Sequence, residues 1–273
     1  NTKLRSWKIP ENEFTATQKV TLHLLLTHQS GLNRPEGGFS WEEGSTPTLL
    51  QTLNGEAPAK NDPAAIVVLP GSRWEYSNFG YLVIQQLLED VTGKPFVQIA
   101  QETVFVPIGM TSSTFALPLA PELAKNEAVP HDATGTAYDP DMHPNAVANG
   151  GLMTTPSDLA LFTSELMLAF HGKSSRLLSK KMMQTMFASH VDIDPSVTGV
   201  PIGQGLGVML YGDGAGFCFL HPGDNLPGAS SWLIGWPDTG NGIVVMTNGA
   251  MGNLLAMEIT AAFLRADASP TGP

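Results

Sequence analysis

The chain has 273 residues, a formal net charge of -11, 42% apolar residues and one cysteine. That length supports one large domain or two interleaved subdomains with a real core, while the acidic balance offers no basic patch for phosphate and argues against a nucleic-acid partner. Cys218 has no partner for an intrachain disulfide or a cysteine-based metal site, and no apolar run reaches eighteen residues, so no segment reads as a membrane-crossing helix.

"TLHLLLTHQSGL" predicts a short helix capped by Thr21, with Leu22, Leu25 and Leu26 on one face. Gly31 is expected as the left-handed residue after its last turn, with Leu32 folding back onto Leu26. Residues 33–63 read as a long loop with a helical turn near Thr48–Leu53, and Pro70-Gly71 marks a turn. Ile84, Leu87, Leu88 and Val91 define a stronger helix, stopped by Gly93 and Pro95. "PFVQIAQETVFVPIGM" predicts another, ending near Pro107–Gly109, and 111–148 reads as irregular. "TTPSDLALFTSELMLAF" is helical, with Thr154 or Thr155 as cap, Pro156 in first position and Asp158 in the first turn. "SSRLLSKKMMQTMFASH" predicts a further amphipathic helix.

After Pro201 the pattern changes. "GLGVMLYG", "GFCFLHPG", "SSWLIGWP" and "GIVVMTN" read as short strands, and "YGDGAG" and "PDTGNG" are turns that can join hairpins. The closing "MGNLLAMEITAAFLRA" predicts a helix with Met251, Leu254, Leu255, Ile259, Ala262 and Phe263 on one face. The expected fold class is α+β. A mainly helical subdomain over 1–200 precedes antiparallel strands and a C-terminal helix over 201–273.

Tyr76, in "WEYSNFGYLV", is open to two readings, a core tyrosine or a reactive phenol. Asn78 reads as a helix cap or a ligand contact, and Ser77 is equally open. His221 ends an alternating strand in "FLHPGD". Pro222 has no N–H and is expected to leave the strand ladder there, while Gly223 allows a close backbone approach, so the strand edge can line a cleft. His23 and His28 lack the spacing, the Glu and the third ligand of a zincin. His131, Asp132, Asp139, Asp141 and His143 could bind a cation but read better as a solvated loop. The glycines over 203–216 lack the strand–loop–helix setting of a phosphate cradle. No cofactor or metal is implied.

Taken together and in order, four stretches resemble the serine β-lactamase and penicillin-binding-protein family, in its class C-like branch of esterases and D-peptidases. They are "LHLLLTHQSGL", the Tyr-x-Asn of Tyr76–Asn78, "NGGLMTTPSDLALF" and the His-Pro-Gly of His221–Gly223. The resemblance implies that Tyr76 is the general base in acylation, activated by nearby cations, and that Asn78 positions the acyl group. It implies that His221 stands where class C lactamases carry Lys, and that the N–H of Asp224, just past Gly223, donates to an oxyanion. The substrate expected is a small ester, amide or β-lactam. His-Pro-Gly in place of Lys-Thr-Gly favours an esterase or D-amino-acid peptidase over a β-lactamase.

The family's nucleophile lies in Ser-x-x-Lys, and no Ser-x-x-Lys occurs in the 273 residues. The resemblance therefore implies a complementary N-terminal segment, held noncovalently or supplied by an intertwined neighbour. Without it, an unpaired sheet edge and a cavity lined by Leu and Ile are expected. The alternative is a lactamase-like binding module without catalysis.

Overall fold

Residues 1–35, 39–138, 143–225 and 228–267 are described by the computed structural model of the chain. The helices preceding the sheet are α1 Glu13–Thr17, α2 Leu22–Leu26, α3 Leu49–Asn54, α4 Asn78–Thr92, α5 Phe96–Ala100, α6 Val106–Ile108, α7 Pro121–Ala124, α8 Pro156–Phe170 and α9 Lys180–Met186. Then come β1 Val191–Ile193, α10 Pro195–Thr198, β2 Ile202–Gln204, β3 Met209–Tyr211, β4 Cys218–Asn225, β5 Ala229–Trp236, β6 Asn241–Thr247 and α11 Gly252–Asp267. The fold is α+β, as expected.

Local chemistry sets most helix ends. The Thr21 hydroxyl accepts from Leu24 N–H at α2, and Thr155 accepts from Asp158 N–H at α8, ahead of Pro156. Gly93 closes α4 in the left-handed region at φ 70°. The 96–108 helix is continuous but carries a π turn over Gln101–Phe105, where Val106 N–H reaches Gln101 O. Pro107 has no N–H for the ordinary ladder, so the helix widens just before it. The helix expected from Ser174 begins only at Lys180. The preceding stretch is tied instead to α8, where Ser174 Oγ and Arg176 bond the buried carboxylate of Glu165.

Leu25, Leu53, Phe79 and Leu82 join α2, α3 and α4 in one apolar cluster. Burying one such side chain contributes about 1.5–3 kcal/mol.

The sheet has six strands in the order β1-β2-β3-β4-β5-β6, with every neighbouring pair antiparallel. Beyond the strands expected, the sheet includes Val191–Ile193 and Ile202–Gln204, each too short to show an alternating pattern. Side chains alternate across β4. Phe219 meets Leu159 and Leu166 of α8 on one face, while Leu220 and Ile234 share the other with Phe263 of α11.

Two further sequence expectations are corrected. Strand β4 does not end at His221-Pro222, but pairs through to Asn225 with Pro222 opposite Trp232. Its other neighbour, β3, pairs only with Cys218, Phe219 and Leu220, so Pro222 lies where that edge is already free and its missing N–H breaks no bond there. The second correction concerns α11. Gly252, Ala256 and Thr260 face the sheet, whereas Met251, Leu254, Leu255 and Ile259 are exposed. A Cβ at Gly252 would strike Thr247 and Ser230, so the small residues allow the close approach.

Candidate active site

Tyr76 closes the loop before α4 and is half-buried. The cap of α4 is Ser77, which is buried and whose Oγ accepts from Gly80 N–H at 3.2 Å. That leaves Asn78 as the first helical residue, half-buried, with a side-chain amide that makes no hydrogen bond among the described residues. The Ser-Asn pair therefore divides its work, one residue holding the helix end and the other presenting a free amide.

The ring of Tyr76 packs on His28, with centroids 4.3 Å apart and a 31° tilt. His28 also meets Tyr81 at 5.2 Å and Trp74 edge-on at 6.1 Å. Its Nδ1 accepts from Ser77 N–H at 3.2 Å. The β2–β3 turn closes onto the same region. Gly207 N–H donates to Leu26 O, and Trp74 Nε1 donates to Gln204 Oε1 at 3.1 Å.

His221 is half-buried on the face of β4 shared with Phe219 and lies close enough to His28 for its charge to act there. Tyr76, His28, Tyr81 and His221 thus form one group. A Cβ at Gly223 would meet the hydroxyl of its sheet partner Ser231, which would have to turn aside to admit a larger residue. Asp224 is exposed, and its carboxylate accepts from Ser230 Oγ at 3.0 Å. Beyond it, Asn225 Nδ2 donates to Gly150 O at 3.0 Å, which ties the free end of β4 to the Asn149–Gly151 turn.

The electrostatics favour neutral groups. Burial lowers the pKa of His28 to about 4, with the His221 charge acting in the same direction. Burial also lowers that of His221. It raises the Tyr76 phenol above the ordinary tyrosine range, opposed by the Arg34 guanidinium. Of the cations expected beside Tyr76, the described residues supply exposed Arg34 as the one acting on the phenol.

His28, Tyr81 and Arg34 were missed as site residues. The available signal was an imidazole at a helix stop, a place more often given to Gly or Asn. His23, weighed beside it for zinc, pairs with His190 at 3.1 Å instead. In the acidic loop, His131 meets Asn248 and Asp132 accepts from Thr134 and Thr136, while Asp139 and Asp141 lie outside the described residues.

The neutral His28 has a measurable consequence. An unfolded chain protonates this imidazole near pH 6.5, the folded one only near about 4. Between these values the unfolded state binds more protons, so stability falls as pH drops through that window and His28 adds no further loss below it. His221 contributes in the same direction. A His28→Asn protein should show a shallower loss in urea titrations across this window, and equal slopes would assign the effect elsewhere.

A family model described as Beta-lactamase matches residues 7–266. D-alanyl-D-alanine-carboxypeptidase/endopeptidase AmpH of Escherichia coli (strain K12) is 25% identical over 219 residues, covering 77% of this chain and 50% of that protein. The chain thus spans about half the length of this relative. Among solved structures, the octameric penicillin-binding protein homologue from Pyrococcus abyssi superposes with a TM-score of 0.69 at 25% identity, over 90% of this chain and 56% of that one. The D-amino acid amidase from Ochrobactrum anthropi SV3 shares the fold with a TM-score of 0.66 at 24% identity, over 86% of this chain and 65% of that one.

Proposed function

We propose, from the premise that the chain belongs to the Beta-lactamase family, that the full-length protein is a serine hydrolase acting by acyl transfer on small esters or amides. Esterase or D-amino-acid peptidase activity is favoured over β-lactamase activity. The observation that carries this reading is the setting of Tyr76. Its phenol is half-buried at the start of α4 against His28, and its Oη is bound to no described residue.

In this reaction a serine oxygen attacks the acyl carbon and loses its proton to Tyr76. The alcohol or amine then leaves with a proton returned by the phenol, and water releases the acid. The free amide of Asn78 orients the acyl group. The N–H of Asp224, on the free edge of β4, donates to the oxyanion. His221 occupies the lysine position of class C lactamases as a neutral group.

The serine is assigned to a segment of the full-length protein outside these 273 residues. Three features support such a partner. The outer edge of β6 has no strand beside it among the described residues. The outward face of α11 exposes Leu254, Leu255, Met257 and Ile259. A half-open cavity of about 310 Å³ lies between α4, α5 and α8. Its walls carry the Leu and Ile expected, at Leu88, Ile99, Leu152 and Leu159, together with phenyl rings such as Phe96 and Phe115.

The experiment is fluorophosphonate labelling of the full-length protein with peptide mapping, alongside turnover of p-nitrophenyl acetate and nitrocefin. The label is expected on a serine outside the 273 residues, with the ester cleaved faster than nitrocefin. A protein that neither labels nor hydrolyses is the binding module instead.

A further inference from the structure

We infer that His28 is the positioning residue for Tyr76, holding the residue before it, the residue after it and the phenol ring itself. The inference rests on the hydrolase reading above for its consequence, but not for its geometry. Glu75 N–H donates to His28 O at 2.8 Å. Ser77 N–H donates to His28 Nδ1 at 3.2 Å. Between these two bonds the Tyr76 ring lies on the imidazole, centroids 4.3 Å apart. Backbone on both sides and ring in the middle are held by one residue that is itself 3% exposed.

The backbone of His28 shows why that clasp is possible. His28 is the non-glycine residue with positive φ among those described, at 55°. Such a conformation is strained for a residue that carries a Cβ and persists where surroundings over-determine it. Here the end of α2 does so, through His28 N–H to Leu25 O and Gln29 N–H to Leu24 O. A helix stop alone is met by Gly or Asn at lower strain. The imidazole is not needed for the stop, and its Nδ1 and ring face are both spent on the Tyr76 segment. Because Nδ1 accepts, the neutral ring carries its proton on Nε2. The titratable groups facing this imidazole are Tyr76 and Tyr81 from the α4 side and His221 from β4.

The test uses the full-length protein and three variants. His28→Phe keeps a ring against Tyr76 but removes the acceptor for Ser77 N–H. Its kcat, corrected for folded fraction, is expected to fall about ten- to a hundredfold with KM within about twofold, the scale of a misplaced catalytic group. His28→Asn tolerates the left-handed backbone and restores an acceptor, so it is expected to recover most of that loss. A purely structural role would lower the melting temperature without this kcat pattern.

His28→Gly uncovers the Tyr76 ring. The Tyr76 resonance in a protein labelled with ¹³Cζ-tyrosine is then expected to titrate closer to an ordinary phenol than in the parent. An unmoved Tyr76 titration in His28→Gly, or an unchanged kcat in His28→Phe, overturns the inference while leaving the hydrolase reading intact. A shifted titration in a protein that hydrolyses no ester supports the clasp and sinks the hydrolase reading instead.

Discussion

Tyr76→Phe is expected to lower ester turnover by the full-length protein ~10²-fold or more, the usual size of a general acid–base contribution. Each factor of ten corresponds to about 1.4 kcal/mol of barrier, so the loss is about 3 kcal/mol or greater. The substitution deletes one oxygen. That oxygen bonds to no described residue, so the fold has nothing to lose with it. The ring keeps its contact with His28, and Ser77 still caps α4. The melting temperature should therefore stay within a degree or two of the parent, a shift of well under 1 kcal/mol for a chain this long.

The parent's pH profile supplies a second arm. Burial holds the phenol above the ordinary tyrosine range, so the ionised fraction at neutral pH is small and grows as the solution becomes alkaline. Ester turnover should climb with pH in the parent and lose that limb in Tyr76→Phe. Equal rates in the two proteins would remove Tyr76 from the chemistry, whatever else the site does.

Phe219→Ala is expected to cost about 3–5 kcal/mol of folding stability, the range for emptying a phenyl-sized space in a core. Against a total of about 5–15 kcal/mol, that leaves a protein near its unfolding threshold. The reasons are local and severe. Phe219 is 0% exposed and stacks on Phe187 at 4.4 Å. Its ring lies directly under Gly235 of β5, where a Cβ would come within 2.7 Å of it. The sheet and α8 therefore close around this ring, and neither can collapse far into the space left behind. Urea unfolding should show a lower midpoint with an unchanged slope. Phe219→Leu retains much of the volume and should lose much less. A midpoint unchanged in Phe219→Ala would mean that the α8–sheet core is not packed as described.

Elements whose rules are local were legible before any coordinates. Thr21, Thr155 with Pro156, and Gly93 each act within a turn of helix, and each does what its residue type dictates. The order of the four family motifs was equally legible, and it led to Tyr76, Asn78 and His221. The roles at those positions were less so. Asn78 and Ser77 looked interchangeable as caps, and the choice of Ser77 depends on which side chain turns back to Gly80. His28 was read beside His23 as half of a failed zinc pair. Its contacts lie with Glu75, Tyr76 and Ser77, nearly fifty residues away, a separation over which no periodic pattern carries information.

By itself the sequence determined the start of α2, both ends of α4, the start of α8, the strand character of β3 to β6 and which family supplies the fold, because capping, chirality and alternation act between near neighbours. Tertiary structure alone decided which face of α11 is buried and what surrounds Tyr76. Hydrophobic pattern placed Leu254, Leu255 and Ile259 inward with Phe263, but of these Phe263 reaches the sheet and the helix otherwise docks through Gly252, Ala256 and Thr260. Close approach to Ser230 and Thr247 requires small side chains, and that requirement exists only once the sheet is there to meet them.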